Sequence, residues 1–159
     1  MMRAFLTTVL LSFSLAAPAQ PVRLDGNTLE GQRFSLEALR GKVVMLFFWN
    51  TDCVPCIQKM AELRETAGGW RHKPFELVLV STDRDREAAL RYLQTLRQIE
   101  KTGPVMPALW VGDLKFGAPM AAPASVPLML VLDVKGNVAA RYAGRMAPEA
   151  WNDVADLLP

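Results

Sequence analysis

Two cysteines three positions apart carry the most evident chemistry in this sequence. Cys53 and Cys56 are the only cysteines among the 159 residues, and their spacing places both sulfurs within one helical turn, close enough for a disulfide bond. If a helix begins here, its free N–H groups and its dipole stabilise the Cys53 thiolate, which is the nucleophilic form. Pro55 fits the first helical turn, where its missing N–H costs nothing. The pattern predicts a redox-active dithiol, with Cys53 as nucleophile and Cys56 as the shielded resolving thiol.

Two other uses of the cysteine pair compete with redox chemistry. A purely structural disulfide would close a very short loop and so add little stability. Half of a zinc site would need two further ligands, and the sequence offers a single histidine, His72, besides its carboxylates. We interpret His72, between Arg71 and Lys73, as a solvated loop residue, and we predict no metal site.

The composition limits the class of protein. The chain is 51% hydrophobic and 21% charged, with a net charge of +2. That apolar content excludes a disordered chain, and the low net charge gives no support to a nucleic-acid-binding protein. Two cysteines exclude a disulfide-dense small fold. The length suits one domain with its own core.

The first 19 residues have the pattern of a secretory signal peptide. Arg3 supplies the positive charge, residues 4–17 are uncharged and largely apolar, and 17–19 read Ala-Pro-Ala, a cleavage-site pattern. The apolar run is shorter than the roughly 20 residues needed to span a bilayer. We therefore expect a mature domain at 20–159 without a stable membrane span, located in the periplasm or otherwise outside the cytoplasm.

A buried strand is predicted directly before the cysteines. Residues 43–49 form a continuous apolar run, which is typical of a strand covered on both faces. Similar runs at 76–80 and 128–132 predict two further strands. A fourth strand at 138–142 follows a turn at 133–137, so the last two strands should form a hairpin.

Helices are predicted between these strands. Apolar residues at helical spacing indicate helices from Cys53 to about residue 67, stopped by Gly68 and Gly69, and over 85–99. Pro148 should open a third helix near the end of the chain. A strand–helix–strand unit implies parallel strands joined by a right-handed crossover, which gives a central mixed sheet flanked by helices.

Three stretches are less regular. Residues 22–34 contain two short runs around a turn signal at 25–27 and predict an N-terminal β extension. Ser35 should cap a short helical turn over 35–39. Residues 100–126 are rich in proline and glycine, and we interpret them as an irregular insertion with a short strand at 108–111.

Val126 and Pro127 stand immediately before the third strand. The peptide bond between them can be cis, which would turn the Val126 backbone toward an incoming chain. An ordinary trans proline opening an edge strand fits the sequence equally well. Trp49, at the end of the first buried strand, is expected beside the cysteines. We predict that Val126, Pro127 and Trp49 bind substrate.

These features together resemble the TlpA/ResA-like branch of the thioredoxin-fold family over about residues 22–158. The resemblance implies an α/β thioredoxin-like fold and an exported thiol–disulfide oxidoreductase, of a kind that often reduces disulfides in cytochrome c maturation or in other envelope proteins. It further implies Cys53 as nucleophile, Cys56 as resolving thiol and Pro127 as a cis-proline facing them. The motifs that carry it are 33–36 (RFSL), 41–44 (GKVV), 48–51 (FWNT), the C-x-x-C pair, 126–127 (VP), 133–137 (DVKGN) and 141–144 (RYAG).

Three positions depart from the family pattern. Asp52 stands where most members carry tryptophan, Lys59 where ResA-type proteins carry glutamate, and Phe47 where thioredoxin has a buried aspartate. We treat Asp52, Pro55 and Lys59 as candidate modulators of the cysteine pair. Asp52 also fits a solvated charge or a helix cap, since aspartate is a favoured capping residue.

The motif favours reduction of partner proteins over their oxidation. Val54 and Pro55 supply no cation to stabilise a thiolate, and the charge of Asp52 disfavours one. We expect protein thiols and disulfides as substrates, an upstream redox partner, and no cofactor beyond the Cys53–Cys56 disulfide. Two alternatives stay open: a peroxiredoxin-like peroxidase, and a non-catalytic adaptor whose disulfide is structural.

Overall fold

The computed structural model describes residues 20–99, 105–118, 120–148 and 150–159, so the predicted signal segment at 1–19 lies outside the described residues. The strands, in chain order, are β1 (Arg23–Asn27), β2 (Arg33–Ser35), β3 (Val43–Trp49), β4 (Phe75–Ser81), β5 (Ala108–Trp110), β6 (Lys115–Gly117), β7 (Leu128–Leu132) and β8 (Val138–Ala143). The α-helices are α1 (Val54–Gly69), α2 (Arg86–Ile99) and α3 (Ala150–Asp156).

A five-stranded mixed sheet forms the centre of the fold, in the order β5-β4-β3-β7-β8. Strand β4 runs parallel to β3 and β5, whereas β7 runs antiparallel to both β3 and β8. Trp49 at the end of β3 pairs with Ser81 at the end of β4, and Phe48 pairs with Leu128 at the start of β7. This register brings the chain after β3, the chain after β4 and the chain before β7 to one edge of the sheet.

The two faces of β3 belong to two different cores. All seven residues of β3 are buried, which explains its unbroken apolar run. Phe47 and Trp49 point to the side of the three helices, and Phe48 points to the side covered by β1 and the segment that follows β2. The predicted helix-flanked sheet is confirmed, and the N-terminal extension provides the cover for its second face.

The predicted N-terminal turn is in the wrong place. Residues 25–27 lie inside β1 and pair with β2. A β-carbon on Gly26 would lie 2.5 Å from the carbonyl oxygen of Asp113, so Gly26 allows a close approach of backbone rather than a turn. The chain reverses instead over 28–32, where Gly31 has a φ of 84° and its N–H bonds the Thr28 carbonyl at 2.9 Å.

Other boundaries differ in smaller ways. The glycines at 68 and 69 lie inside α1, which ends with Trp70 as its C-cap. Ser35 occupies the N-cap position of a 3-10 turn over Leu36–Leu39, but its side chain makes no capping hydrogen bond. In the predicted insertion, β5 confirms the short strand, whereas no local pattern indicated β6, a three-residue strand that pairs with β1. None of the helices in the described ranges is long and apolar enough to cross a membrane.

Candidate active site

Cys53 and Cys56 form a disulfide at the beginning of α1, with their Cα atoms 5.2 Å apart. The chain leaves β3, turns through a hydrogen bond from the Cys53 N–H to the Asn50 carbonyl at 3.2 Å, and enters the helix. Cys53 is the N-cap residue, and its sulfur accepts the Cys56 N–H at 3.2 Å. The Cys56 N–H has no carbonyl partner within the helix, and it donates to this sulfur instead. Such a donor at a helix N-terminus stabilises a thiolate.

The two sulfurs differ in accessibility. Cys53 is partly exposed, whereas Cys56 is fully buried in the core beside the helices. Between them, Val54 is 64% exposed and Pro55 is exposed as well. An incoming protein thus meets Cys53 together with an apolar surface, and it cannot meet Cys56 without a rearrangement.

The loop before β7 lies on the same side of the molecule. The Val126–Pro127 peptide bond is cis, and both residues are partly buried. The carbonyl of Pro127 accepts the Gly144 N–H at 2.9 Å, which ties the loop to the end of β8. Pro127 lines the same cavity as Pro55, so the structure brings the two predicted segments together.

That cavity has a volume of about 460 Å³, and Pro55, which stands between the two cysteines in the sequence, lies on its wall. Its floor is apolar, because Phe47, Met129 and Met146 are all buried. Its rim is polar and charged. The lining residues are Phe47, Pro55, Gln58, Lys59, Glu62, Pro127, Met129, Gly144, Arg145, Met146 and Pro148.

Lys59 is held by Glu62, one turn further along α1. Its ammonium contacts both carboxylate oxygens, at 2.7 and 2.8 Å, and the Trp151 indole N–H donates to the same carboxylate at 2.6 Å. Burial raises the pKa of Glu62, but the hydrogen bonds from Lys59 and Trp151 and the Lys59 charge outweigh it and leave the pKa below its usual value. The charge of Lys59 is therefore balanced by the carboxylate to which it is bound.

Two predicted site residues take different roles from those expected. Trp49 is fully buried and packs on Tyr92, with ring centroids 5.2 Å apart, so its side chain offers no surface to a substrate. Asp52 is exposed and lies one residue before the helix cap, which is Cys53 itself. The capping interpretation of Asp52 is therefore wrong, and the solvated-charge interpretation agrees with the structure.

Asp83 is a site residue that the sequence reasoning missed. It is 8% exposed and follows β4, at the edge where β3 delivers the cysteine loop. One carboxylate oxygen accepts both the N–H and the hydroxyl of Thr51, at 2.9 and 2.6 Å. The other accepts the Ser81 hydroxyl at 2.7 Å. A polar Ser-Thr-Asp run that begins at the last residue of a buried parallel strand was the signal that could have revealed it.

A metal centre finds no support in the parts of the chain that the structure describes. There, no group of three or more histidine, cysteine, aspartate or glutamate side chains is arranged to hold an ion. The chemistry available at this edge of the sheet is that of the two sulfurs and of the helix terminus.

Comparison with known proteins assigns the family. A model described as the AhpC/TSA family matches residues 15–152. The chain belongs to this family. A thiol-disulfide oxidoreductase ResA of Bacillus cereus is 28% identical over 121 residues, which are 76% of this chain and 66% of ResA. The chain thus spans just under two thirds of that relative's length.

A second curated relative covers more of the chain, and a solved structure shows the fold. Thiol:disulfide interchange protein DsbE of Tatumella citrea is 28% identical over 147 residues, 92% of this chain and 74% of DsbE. A thioredoxin-family thiol:disulfide interchange protein from Chlorobium tepidum TLS superposes with a TM-score of 0.69 at 20% identity, covering 90% of this chain and 97% of that one. These findings confirm the predicted thioredoxin-like fold, and they show that the chain is similar to proteins named thiol-disulfide oxidoreductase ResA and thiol:disulfide interchange protein DsbE.

Proposed function

We propose that this protein exchanges disulfides with other proteins outside the cytoplasm and works mainly as a reductant. The observation that carries the proposal is the Cys53–Cys56 pair at the N-terminus of α1, with one sulfur accessible and the other buried. A structural disulfide does not depend on one sulfur being accessible and the other buried. An exchange reaction does, because one thiol must reach the partner while the other stays shielded until the mixed disulfide has formed.

The proposed reaction has two steps. The Cys53 thiolate attacks a disulfide of the partner, so that a mixed disulfide forms and one partner thiolate leaves. The Cys56 thiolate then attacks the Cys53 sulfur and releases the second partner thiolate. Two electrons pass to the partner, which ends with two thiols, and this protein ends with the Cys53–Cys56 disulfide. An upstream dithiol must then reduce it again.

The partner is proposed to lie across the exposed start of α1 and the loop before β7. Val54 and Pro55 present apolar surface beside Cys53. Val126 and Pro127 stand at the neighbouring edge of the sheet, where the register of β3 and β7 brings the two segments together. In this proposal the backbone at Val126 receives an extended segment of the partner, and the cavity beyond Pro127 receives one of its side chains.

The direction of electron flow is proposed from the charges around Cys53. A strong oxidant needs its thiolate stabilised, for example by a nearby cation. Lys59 is bound to Glu62, and the exposed Asp52 brings a negative charge to the position before Cys53. Both features disfavour an unusually stable thiolate and so favour a reductant.

The compartment is proposed from the sequence. Residues 1–19 have the signal-peptide pattern, and a dithiol outside the cytosol meets proteins that carry disulfides. Reduction of a protein in cytochrome c maturation is one setting that the TlpA/ResA resemblance suggests. Fractionation of cells that express the tagged full-length chain tests the compartment independently of the activity.

Reduction of insulin in the presence of dithiothreitol tests the activity. We expect the wild-type protein to accelerate it and Cys53→Ser to abolish the acceleration. Cys56→Ser should accumulate a mixed disulfide on Cys53, and this variant also serves to trap the natural partner. A wild-type protein without activity, whose disulfide also resists strong reductants, would favour the adaptor alternative. Consumption of hydrogen peroxide without insulin reduction would favour the peroxidase.

A further inference from the structure

We propose that Asp83 is a positioning residue for Cys53 and that it acts through Thr51. The proposal rests on the proposed function in one respect, because it takes Cys53 as the attacking thiol. It assigns to a residue outside the C-x-x-C motif the task of holding the nucleophile at the helix terminus.

Thr51 is anchored at two points. A single oxygen of the Asp83 carboxylate accepts the backbone N–H of Thr51 at 2.9 Å and its hydroxyl at 2.6 Å. These bonds fix the main chain and the side chain of Thr51 together. Thr51 precedes Cys53 by two residues, and the Cys53 N–H closes the same turn on the Asn50 carbonyl at 3.2 Å.

Asp83 is itself rigidly held. Its other carboxylate oxygen accepts the Ser81 hydroxyl at 2.7 Å, and its backbone N–H donates to the same hydroxyl oxygen at 3.0 Å. Its carbonyl accepts the Trp110 indole N–H at 2.7 Å. Asp83 is thus fixed from β4 on one side and from the end of β5 on the other. A buried carboxylate with this number of partners has little freedom to move.

The segments that follow β3 and β4 are bonded to each other along their length. The Thr82 N–H donates to the Trp49 carbonyl at 2.7 Å, and the Thr82 hydroxyl donates to the same oxygen at 3.2 Å. The Asn50 amide reaches the Thr82 hydroxyl at 3.4 Å. Residues 82 and 83 therefore fix the segment 49–51, in which β3 ends. Within that segment, Asp83 fixes Thr51, the residue nearest to Cys53.

The consequence concerns the helix terminus. The Cys53 sulfur accepts the Cys56 N–H only while Cys53 occupies the N-cap position. If Thr51 is released, Cys53 spends less time there, and its thiolate loses part of the stabilisation that the helix provides. Loss of the anchor should therefore move the ionisation of Cys53 to higher pH. Loss of a negative charge alone would move it to lower pH, so the two effects have opposite signs.

The test measures the rate of Cys53 alkylation by iodoacetamide in the reduced protein as a function of pH. Asp83→Ala removes the anchor and Thr51→Val removes its side-chain part. Asp83→Asn keeps one oxygen that can accept both bonds from Thr51, and Thr51→Ser keeps the hydroxyl that donates one of them. We expect Asp83→Ala to raise the midpoint of the pH profile by about 0.5 pH units, which lowers the rate below the midpoint about threefold. Thr51→Val should give a smaller rise in the same direction. Thr51→Ser should restore most of the wild-type profile, and Asp83→Asn, which keeps the anchor but loses the charge, should give a midpoint at or below the wild-type value.

The other charged groups around Cys53 stay unchanged in every variant. Asp52 precedes it, and the paired Lys59 and Glu62 lie further along α1. Asp133→Ala is the matched control, because that carboxylate also organises backbone, accepting the N–H groups of Lys135 and Asn137 at 2.9 Å each, in the turn between β7 and β8. We expect it to reduce stability without moving the Cys53 profile.

Three outcomes would overturn the proposal: an unchanged profile in Asp83→Ala and Thr51→Val, an equal shift in Asp133→Ala, or a downward shift in Asp83→Ala. If Asp83→Ala does not fold, as judged by circular dichroism, the Thr51→Val and Thr51→Ser pair decides alone. Alkylation needs no protein substrate. A wild-type protein that fails to reduce insulin therefore contradicts the proposed function without affecting this test.

Discussion

At the scale of single residues, the site depends on a difference between two chemically identical side chains. Cys53 and Cys56 are distinguished by their places on α1, one at the cap and one a turn inside the core. The sequence predicted this asymmetry correctly, because C-x-x-C after a buried run leaves few other arrangements. The roles of attacking and resolving thiol stay predictions until the exchange reaction is measured.

Glu62→Gln tests how the charges on α1 affect the nucleophile. Glu62 binds Lys59, whose side chain is 17% exposed. The substitution removes the carboxylate charge that pairs with the Lys59 ammonium. Lys59 then lines the cavity that it shares with Pro55 as an unpaired cation. A free cation on this helix should favour the Cys53 thiolate and lower the midpoint of its alkylation profile by a few tenths of a pH unit, roughly the effect of an exposed charge.

Glu65→Gln is the control for that prediction, since it removes the same charge from an exposed position on the same helix. Its profile should match the wild type. If Glu62→Gln leaves the midpoint in place or raises it, pairing with Glu62 has no part in keeping Lys59 from the thiolate. Asp52 would then be the one charge that favours a reductant.

Asp83 could not be assigned to the site from sequence motifs alone. Asp83 stands 30 positions after Cys53 in the sequence, and its contact with Thr51 exists only because β3 and β4 end at the same edge. The strands themselves were predictable from their apolar runs. Which polar side chain after β4 turns back toward the cysteine loop depends on the register, and no local pattern encodes that register.

At the scale of elements, the N-terminal sheet covers one face of the central sheet and leaves the cysteine edge open. Strand β1 pairs with β2 on one side and with β6 on the other, and the three form a separate sheet. The apolar residues Leu24 and Phe34 pack beneath β3 and β7. The prediction of an extension was confirmed, but its turn was misplaced because an Asp-Gly-Asn run signals a turn when it is read locally.

Gly26→Ala tests how closely the N-terminal sheet must pack against the rest of the molecule. The new β-carbon would lie 2.5 Å from the Asp113 carbonyl oxygen and 2.8 Å from the Leu114 side chain, and the backbone oxygen cannot move aside cheaply. We expect a loss of about 1–3 kcal/mol in the free energy of unfolding, as for other overpacked sites. Urea titration followed by circular dichroism measures it, and insulin reduction in the absence of urea should stay near the wild-type rate.

Gly69→Ala provides the opposite case, because a β-carbon there meets nothing within 4 Å at the end of α1. The same substitution should be neutral or stabilising by up to about 1 kcal/mol. Equal losses in the two variants would show that the close approach at Gly26 does not govern the packing of β1.

At the scale of the whole molecule, the direction of electron flow and the stability of the fold are linked. A protein whose reduced form is specially stabilised acts as an oxidant, and one whose fold favours the disulfide acts as a reductant. Cys56 is fully buried among the side chains of α1 and β3. Reduction leaves the Cys56 thiol in that packed core, which must accommodate a longer distance between the two sulfurs, whereas the disulfide joins them within one helical turn.

We therefore expect the oxidised protein to resist urea better than the reduced protein. Each 30 mV by which the folded pair is more reducing than the same pair in the unfolded chain corresponds to about 1.4 kcal/mol. Urea titrations of both redox forms give this difference directly, and equilibration of the folded protein with a glutathione buffer gives the potential.

A Cys53→Ser/Cys56→Ser chain is the control. It should unfold at the same urea concentration in oxidising and in reducing buffer, which shows that the difference in stability comes from the cysteine pair. A reduced form more stable than the oxidised form would reverse the proposed direction, because the fold would then drive electrons from partner thiols into Cys53 and Cys56.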